Sequence, residues 1–280
     1  MADTQSAIYA QAYGRNIMQV AQQSGSKLMS TVWQKPNVTG KTFFQDRIGK
    51  WSMALKVGRN AATPNSDPNL SRRMGTMLDY QDNVLLDRGD EIRSISDPRS
   101  AYTLAAGGAI GREFDSIIIA AAAATANTGE TGSGSVTNGN IVLLTAASLT
   151  LGRFLAIKKA LDDDDVPAED RYMVVNTTIL NNLLDVAEAT SADYAAVKAL
   201  VKGEMDTWLG FKWIMSTQLG STNIGLAYHK TGICLAGADG SPMVRTDERT
   251  DLSYSWQIYY EINAGAVRLE EEKVVLIREG

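Results

Sequence analysis

The sequence predicts an α+β protein of 280 residues, and three features carry that prediction. A long helical pattern covers residues 97–127, a strict alternation of apolar and polar residues covers residues 252–262, and the region between them mixes short helical and strand-like segments. Helices repeat apolar residues every three or four positions and half-buried strands every second position, so the chain contains both. Its composition, 44% hydrophobic and 21% charged, is that of a globular protein.

The first segment, residues 6–34, has apolar residues at helical spacing. Gly14, Gly25 and Pro36 interrupt this pattern. We therefore expect a broken helical arm at the start of the chain.

Residues 41–73 predict an extended projection. Apolar residues alternate with small or polar ones over residues 51–57, which is typical of a strand with two different faces, and the turn-rich run RNAATPNSDPNLSRR follows. Seven lysines and arginines stand against two aspartates here, although the whole chain has a net charge of −5. The basic residues are Lys41, Arg47, Lys50, Lys56, Arg59, Arg72 and Arg73.

The long helix opens with Asp97 as its N-cap and Pro98 at the first helical position. Its first half contains Gly107, Gly108 and Gly111, each of which costs about 1 kcal/mol in a helix interior. Two readings stay open: the glycines allow close packing against a neighbouring surface, or they let the helix bend. One stripe of small or apolar residues, with one aspartate, follows the helix: Leu104, Gly108, Gly111, Asp115, Ile118, Ala122 and Thr125.

The rest of the chain alternates between helical and strand-like patterns. A flexible turn region is expected at residues 127–140. The predicted helices are residues 146–163, 178–188 and 193–202. The predicted strands are RYMVVN, FKWIMSTQL, residues 252–262 and a closing strand around residues 274–276.

Motifs for catalysis or for binding a cofactor are absent from the sequence. His229 is the one histidine, Cys234 the one cysteine, and no G-x-S-x-G or Gly-Lys-Ser/Thr motif occurs. The carboxylates Asp162–Asp165 are consecutive and do not match a calcium loop, so a solvated charge run is expected. We therefore expect no enzyme activity, no cofactor and no metal.

Composition also limits the partners and the compartment. The acidic net charge argues against tight nucleic-acid binding and leaves room only for loose, non-specific contact with DNA. The longest apolar run, residues 117–126, is about half of a membrane span, and the polar N-terminus has no signal-peptide pattern. We expect a soluble protein made in the cytoplasm and no membrane partner.

Four fragments, in this order along the chain, resemble one known family. They are FFQDRIGKWSM, SDPRSAYTLAAGGAIGREFDSII, ALDDDDVPAEDRYMVVNTTILNNLL and GAVRLEEEKVVLI. The chain is similar over nearly its whole length to the major capsid proteins of tailed double-stranded DNA phages, which have the Hong Kong 97-type fold that encapsulins share. The resemblance rests on the order of the segments, since no single fragment is diagnostic.

The resemblance implies a division of the chain and a set of partners. It implies an N-terminal arm (1–40), an E-loop projection with its base (41–95), a spine helix in the peripheral domain (96–139), an axial domain (140–240) and peripheral strands (241–280). The subunit would assemble into pentamers and hexamers of an icosahedral shell in the virion. A separate scaffolding protein is expected, because the chain lacks a long charged helical extension at its start, and the resemblance also implies a portal. The spine helix would lie against the β-layer of its own domain.

The E-loop is expected to lie over a neighbouring subunit, with Arg47, Lys50, Trp51, Lys56, Arg59, Arg72 and Arg73 as its contact residues. Acidic residues that could receive it are Asp79, Asp82, Asp87, Asp90, Glu91 and Asp162–Asp165. The alternative is a merely solvated charged loop. For the whole protein, the alternatives are an encapsulin-like compartment subunit and an enzyme or small-molecule binder.

Overall fold

The computed structural model describes residues 22–63, 65–87, 99–144, 150–183, 207–220 and 222–280. These residues form three α-helices and fifteen strands in three sheets. The helices are α1 (Arg99–Ala123), α2 (Leu151–Asp163) and α3 (Thr177–Asn182). The first strands are β1 (Trp33–Val38), β2 (Thr42–Ile48), β3 (Leu70–Thr76), β4 (Leu78–Leu86), β5 (Ala126–Thr128), β6 (Gly134–Val136) and β7 (Ile141–Leu144). The later strands are β8 (Arg171–Val175), β9 (Thr207–Trp208), β10 (Phe211–Met215), β11 (Asn223–His229), β12 (Ile233–Ala238), β13 (Met243–Arg249), β14 (Ser255–Arg268) and β15 (Val274–Glu279).

A six-stranded sheet with the order β7-β15-β11-β8-β10-β9 lies between two apolar layers. In β8, Tyr172 and Val174 face the cluster that contains α1, whereas Met173 and Val175 face the cluster that contains α2 and α3. Both faces are buried, which is why this strand is a continuous apolar run rather than an alternating one. The predicted strands at RYMVVN and FKWIMSTQL are confirmed as β8 and β10.

A five-stranded sheet is organised around β14. This strand pairs with β12 and β13 along one edge and with β4 along the other, and β1 pairs with the far side of β12. The strand predicted at residues 252–262 begins later, at Ser255, and runs on to Arg268. Ser253 and Tyr254 have positive φ angles of 55° and 57°, so the chain turns there instead of pairing.

Helix α1 lies between these two sheets. Phe114, Ile118 and Ala122 pack with residues of both sheets in one buried cluster. The helix ends at Ala123, about 37 Å from its start, rather than at residue 127, because Ala126–Thr128 forms β5. The predicted cap residues Asp97 and Pro98 lie outside the described residues.

The projection is a hairpin of β2 and β3 in a four-stranded sheet with the order β2-β3-β5-β6. We call these two strands the root of the projection and residues 49–69 between them its tip, of which residues 49–63 and 65–69 are described and irregular. The prediction of a strand at residues 51–57 was wrong, since this part of the tip pairs with no other strand among the described residues. The side chains of Trp51, Met53, Leu55 and Val57 are 70–100% exposed, and the chain offers them no surface to pack against. The alternation of apolar residues over residues 51–57 therefore does not indicate a half-buried strand.

The first described residues differ from the helical arm that the sequence predicts. A single 3₁₀ turn, Met29–Thr31, is the only helical element of residues 22–32, and β1 follows. The prediction of a helix was therefore wrong for residues 22–34. The remainder of the predicted arm lies outside the described residues.

Four other boundaries differ from the expected ones. Helix α2 begins at Leu151, where Thr150 accepts a hydrogen bond from the Arg153 amide as the N-cap. Of the two helices predicted after β8, α3 covers the start of the first, and residues 184–206 lie outside the described part. The expected turn region at 127–140 contains the β5–β6 hairpin. Strands β12 and β15 cross the expected domain boundaries, since β12 pairs with β14 and β15 lies in the six-stranded sheet.

Candidate interaction surfaces

The tip of the projection exposes an unusual amount of apolar surface. Met53 is fully exposed, and Leu55 and Val57 are at least nine-tenths exposed. Trp51 is held by a hydrogen bond of 2.9 Å from its Nε1 to Ser66 Oγ, and Gly49 N donates to Asn69 O where the tip begins. Contiguous exposed apolar side chains on one projection are typical of a surface that a partner covers.

Three of the predicted contact cations lie on this tip. Lys50 Nζ is 3.9 Å from Asp165 Oδ2, and both side chains are more than four-fifths exposed, so this pair contributes little. Lys56 and Arg59 are exposed and form no ion pair with another described residue. The structure therefore leaves the charge of the tip available to another molecule.

The three predicted contact arginines of the root are differently placed. Arg72 lies opposite Asp46 in the β2–β3 ladder, and its Nε donates to Asp46 Oδ1 at 2.5 Å. This hydrogen bond lowers the pKa of the Asp46 carboxyl. The Arg72 guanidinium also lies 5.4 Å from the centre of the Phe44 ring. Arg72 thus has partners within its own hairpin.

Arg73, the next predicted contact arginine of the root, is buried within its own subunit. It is only 5% exposed, and its Nη2 donates to Glu271 Oε2 at 2.7 Å. Arg47 reaches the same carboxylate at 3.4 Å and donates to Leu269 O at 2.9 Å. Packing and ion pairing within the subunit therefore explain both charges.

Arg268, which the sequence analysis did not single out, completes this buried cluster. Its side chain is fully buried, and burial lowers the pKa of its guanidinium. Its Nη1 donates to Ala122 O at 2.8 Å and to Ala124 O at 2.7 Å, at the C-terminal end of α1. The last carbonyl groups of a helix have no partner within the helix and attract cations, so Arg268 caps α1.

Two of the three glycines of the long helix contact the N-terminal segment closely. A Cβ on Gly111 would lie 2.4 Å from the carbonyl carbon of Gly25, and one on Gly108 would lie 2.9 Å from Gln23 O. A Cβ on Gly107 would meet no atom of the described residues within 4 Å. The glycine face thus lies against residues 23–26 rather than against the β-layer, which the helix meets further along at Ile118.

Asp115, the one charged residue of the predicted stripe, holds this segment in place. Its fully buried carboxylate accepts hydrogen bonds from Ser26 Oγ at 2.6 Å, Lys27 N at 3.1 Å and Leu28 N at 3.0 Å. Gln23 Nε2 donates to its second oxygen at 2.5 Å. These donors satisfy a buried charge without a cation, and they fix where the segment crosses the helix.

An acidic groove of about 460 Å³ lies between β4 and α1. Asp79, Asp82 and Glu113 line it together with Tyr80 and Tyr260. The Tyr260 hydroxyl donates to Asp82 Oδ2 at 2.9 Å. None of the three carboxylates forms an ion pair with another described residue, so the groove offers unneutralised negative charge.

The other predicted acidic residues are less available. In the run Asp162–Asp165, Asp162 Oδ1 accepts from Arg171 Nη1 at 2.7 Å, and this bond lowers the pKa of the Asp162 carboxyl. Asp163 pairs with Lys159 at 2.7 Å. The first half of the run therefore has structural partners, contrary to the purely solvated run that was expected. Asp87 follows β4, and Asp90 and Glu91 lie outside the described residues.

His229 and Cys234 have surroundings typical of structural residues. His229 is buried, and its Nδ1 accepts from the Thr231 amide at 3.3 Å. Cys234 is 1% exposed, and burial raises the pKa of its thiol to about 11. Among the residues that the structure describes, no three His, Cys, Asp or Glu side chains are grouped to hold a metal ion. None of the described helices is long and apolar enough to cross a membrane.

Comparison with known proteins gives a family and a set of similar structures. A model of the phage capsid protein family matches residues 6–279. The capsid structure of cyanophage P-SCSP1u is similar with a TM-score of 0.77 and 15% identity, covering 98% of this chain and 94% of that one. The capsid of a native GTA particle has a TM-score of 0.75 and 13% identity, with full coverage of both chains. The capsid of cyanophage Pam1 has a TM-score of 0.72 and 12% identity, covering 100% and 99%. No curated protein sequence matches the chain.

Proposed function

Because this chain belongs to the phage capsid protein family and is a major capsid protein, a shell-forming structural subunit with the Hong Kong 97-type fold, we propose how it assembles. Its subunits form pentamers and hexamers that close into an icosahedral shell around the phage genome. The tip of each projection lies on a neighbouring subunit. The match to phage capsid proteins does not favour the encapsulin-like alternative.

The observation that carries this proposal is the composition of the tip. Within residues 49–69, apolar side chains that are 70–100% exposed stand beside Lys50, Lys56 and Arg59, whose charges are not neutralised by buried partners. An isolated subunit gains nothing from this arrangement, since exposed apolar surface costs free energy in water. A second copy that covers the tip would recover that free energy at every repeat of the contact.

The receiving surface in this proposal is the acidic groove between β4 and α1. Its carboxylates, Asp79, Asp82 and Glu113, match the charge of the tip, and its tyrosine rings can contact apolar side chains. Single exposed ion pairs contribute only about 0–1 kcal/mol, so the charges mainly direct the contact while apolar burial stabilises it. Arg47, Arg72 and Arg73 take no direct part in it, because they have partners within the subunit.

The remaining partners belong to the same proposal. A separate scaffolding protein directs assembly, a portal occupies one vertex, and packaged double-stranded DNA touches the shell loosely. The chain is made in the host cytoplasm and has no catalytic function. We further propose the division into arm (1–40), E-loop (41–95), spine helix (96–139), axial domain (140–240) and peripheral strands (241–280), with β12 grouped with the peripheral strands and β15 with the axial sheet.

The test is expression of the full chain with and without the phage's scaffolding protein. We expect closed particles with pentamers and hexamers in electron cryo-microscopy when the scaffolding protein is present. Trypsin should cleave at Lys56 and Arg59 in the free subunit and much more slowly in particles, where the tip is covered. A compact monomer at high concentration with scaffolding protein present would overturn the proposed assembly. Equal cleavage rates in subunit and particle would overturn the role of the tip.

A further inference from the structure

We propose that Glu271 is a positioning residue that fixes the direction of the projection and ties it to the end of α1. This inference rests on the proposed function, since it concerns the pose in which the tip meets a neighbouring subunit. The structural feature behind it is a single carboxylate shared by three arginines from different parts of the chain: Arg47 and Arg73 from the root, and Arg268 from the end of β14.

The contacts of Glu271 divide between the projection and the helix. Its Oε2 accepts from Arg73 Nη2 at 2.7 Å and from Arg47 Nη1 at 3.4 Å. Its Oε1 lies 3.6 Å from Arg268 Nε, on the guanidinium whose Nη1 donates to Ala122 O and Ala124 O at the end of α1. The root and the helix end are therefore held by opposite oxygens of one side chain.

The position of these contacts along the root makes them a second anchor. The first anchor is apolar: Phe43, at the base of β2, and Met77, just after β3, are buried in one cluster with Val267 and Leu269. Arg47 lies four residues further toward the tip, about 13 Å along an extended strand. At this level the root is also held by the pairing of β3 with β5 and by hydrogen bonds from Arg47 and Arg73 to Leu269 O. Glu271 adds the ion pairs of this second anchor, with Arg47 of β2 and Arg73 of β3.

The balance of charge makes Glu271 the critical member of the cluster. Three guanidinium groups meet one carboxylate, and the side chains of Arg73 and Arg268 are 6% and 0% exposed. Without that carboxylate the arginines would repel one another in a poorly solvated space. The movable part is the projection, because Arg268 stays bound to the backbone carbonyl groups of α1 and β6.

The experiment compares Glu271→Gln with Glu270→Gln in the full chain. Glu270 is the adjacent residue, and its one ion pair among the described residues is with Lys273, at 2.9 Å, so it controls for loss of a carboxylate in this turn. By amide hydrogen exchange of the unassembled subunit, we expect Glu271→Gln to speed exchange in residues 45–48 and 70–73 by about tenfold or more, while β8 and β11 keep wild-type rates. The subunit concentration needed for assembly should rise in this variant alone.

Other outcomes count against the positioning role of Glu271. An unchanged amide-exchange rate in the root of Glu271→Gln would overturn this role. An equal increase of the exchange rate throughout the core would also overturn it, because it would indicate a general loss of stability. If Glu271→Gln does not fold, Arg47→Gln removes one root contact and keeps the others, and it should speed exchange locally by a few-fold. Failure of the wild type and of Glu270→Gln to form particles would overturn the shell assembly instead, whatever the exchange rates show.

Discussion

The root and the tip of the projection share one basic stretch of sequence but have different physical environments. In the root, Arg73 is 5% exposed and paired with Glu271, and Arg72 is paired with Asp46. In the tip, Lys56 and Arg59 are exposed and have no partner among the described residues. The comparison teaches that a cluster of like charges in a sequence can contain two sets, one that stabilises the subunit and one left for another molecule. A partner within the subunit separates the two sets, and charge counting does not.

The glycines of α1 repeat this contrast over a much shorter distance. Gly107 and Gly111 are one helical turn apart, yet only Gly111 touches the N-terminal segment. Close packing therefore explains Gly108 and Gly111, whereas nothing in the structure explains Gly107. Of the two readings left open by the sequence, packing is the one that the contacts support at two of the three positions.

The largest expected effect is that of Arg73→Glu, which would place a second carboxylate against Glu271. Breaking a buried ion pair typically costs about 3–5 kcal/mol, so the unassembled subunit should lose most of its stability. The same loss is expected for the double change Arg72→Glu with Arg73→Glu, because it contains the buried charge reversal at Arg73. Thermal unfolding followed by circular dichroism measures the loss.

The matched control for this prediction is Arg59→Glu in the tip. It makes the same charge reversal where the side chain is exposed, so the unfolding temperature should stay within about 1 °C of wild type. If both variants unfold at the same temperature, the division of the projection into root and tip is wrong.

The second prediction concerns Gly111→Ala and Gly107→Ala. Alanine is the better helix former by about 1 kcal/mol at either position. At Gly111 its Cβ would overlap Gly25, and overpacking of this kind costs about 1–3 kcal/mol, so Gly111→Ala should destabilise the subunit and speed proteolysis near residues 22–28. Gly107→Ala should be neutral or stabilising in urea unfolding. A stabilised Gly111→Ala would show that the contact with Gly25 is not required.

Sequence patterns predicted the elements whose burial repeats regularly. The strands β8 and β10 and most of α1 follow from periodicity, because a strand buried on both faces and a helix between two sheets give clear apolar patterns. The tip could not be predicted in this way, since its alternating residues 51–57 face no surface of their own subunit. The cluster around Glu271 also escaped prediction, because its members are far apart in sequence and their pairing depends on the tertiary fold.

The third prediction tests the charge of the tip with the double change Lys56→Glu and Arg59→Glu. Each lost ion pair with a neighbouring subunit is worth only about 0–1 kcal/mol, but every subunit of a shell repeats the contact. The critical concentration for assembly should therefore rise, with no change in the circular dichroism of the free subunit. Salt at ~0.5 M, where the Debye length is about 4 Å, should mimic the effect in the wild type. If neither the double change nor the added salt alters the critical concentration for assembly, these charges are merely solvated.

The smallest expected effect is a pH dependence from His229, the single histidine. Burial, and then the nearby positive charge of Lys273, lower its pKa in the folded subunit from the ordinary value of 6.5. The unfolded chain therefore takes up a proton first as the pH falls below 6.5, and stability should decline slightly between pH 6.5 and 5. Asp46, Asp162 and Asp170 have lowered pKa values too, but their contributions are lost only below about pH 4. Urea unfolding of His229→Gln should show a flat stability between pH 6.5 and 5. A slope equal to that of the wild type in this window would assign the proton uptake to another group.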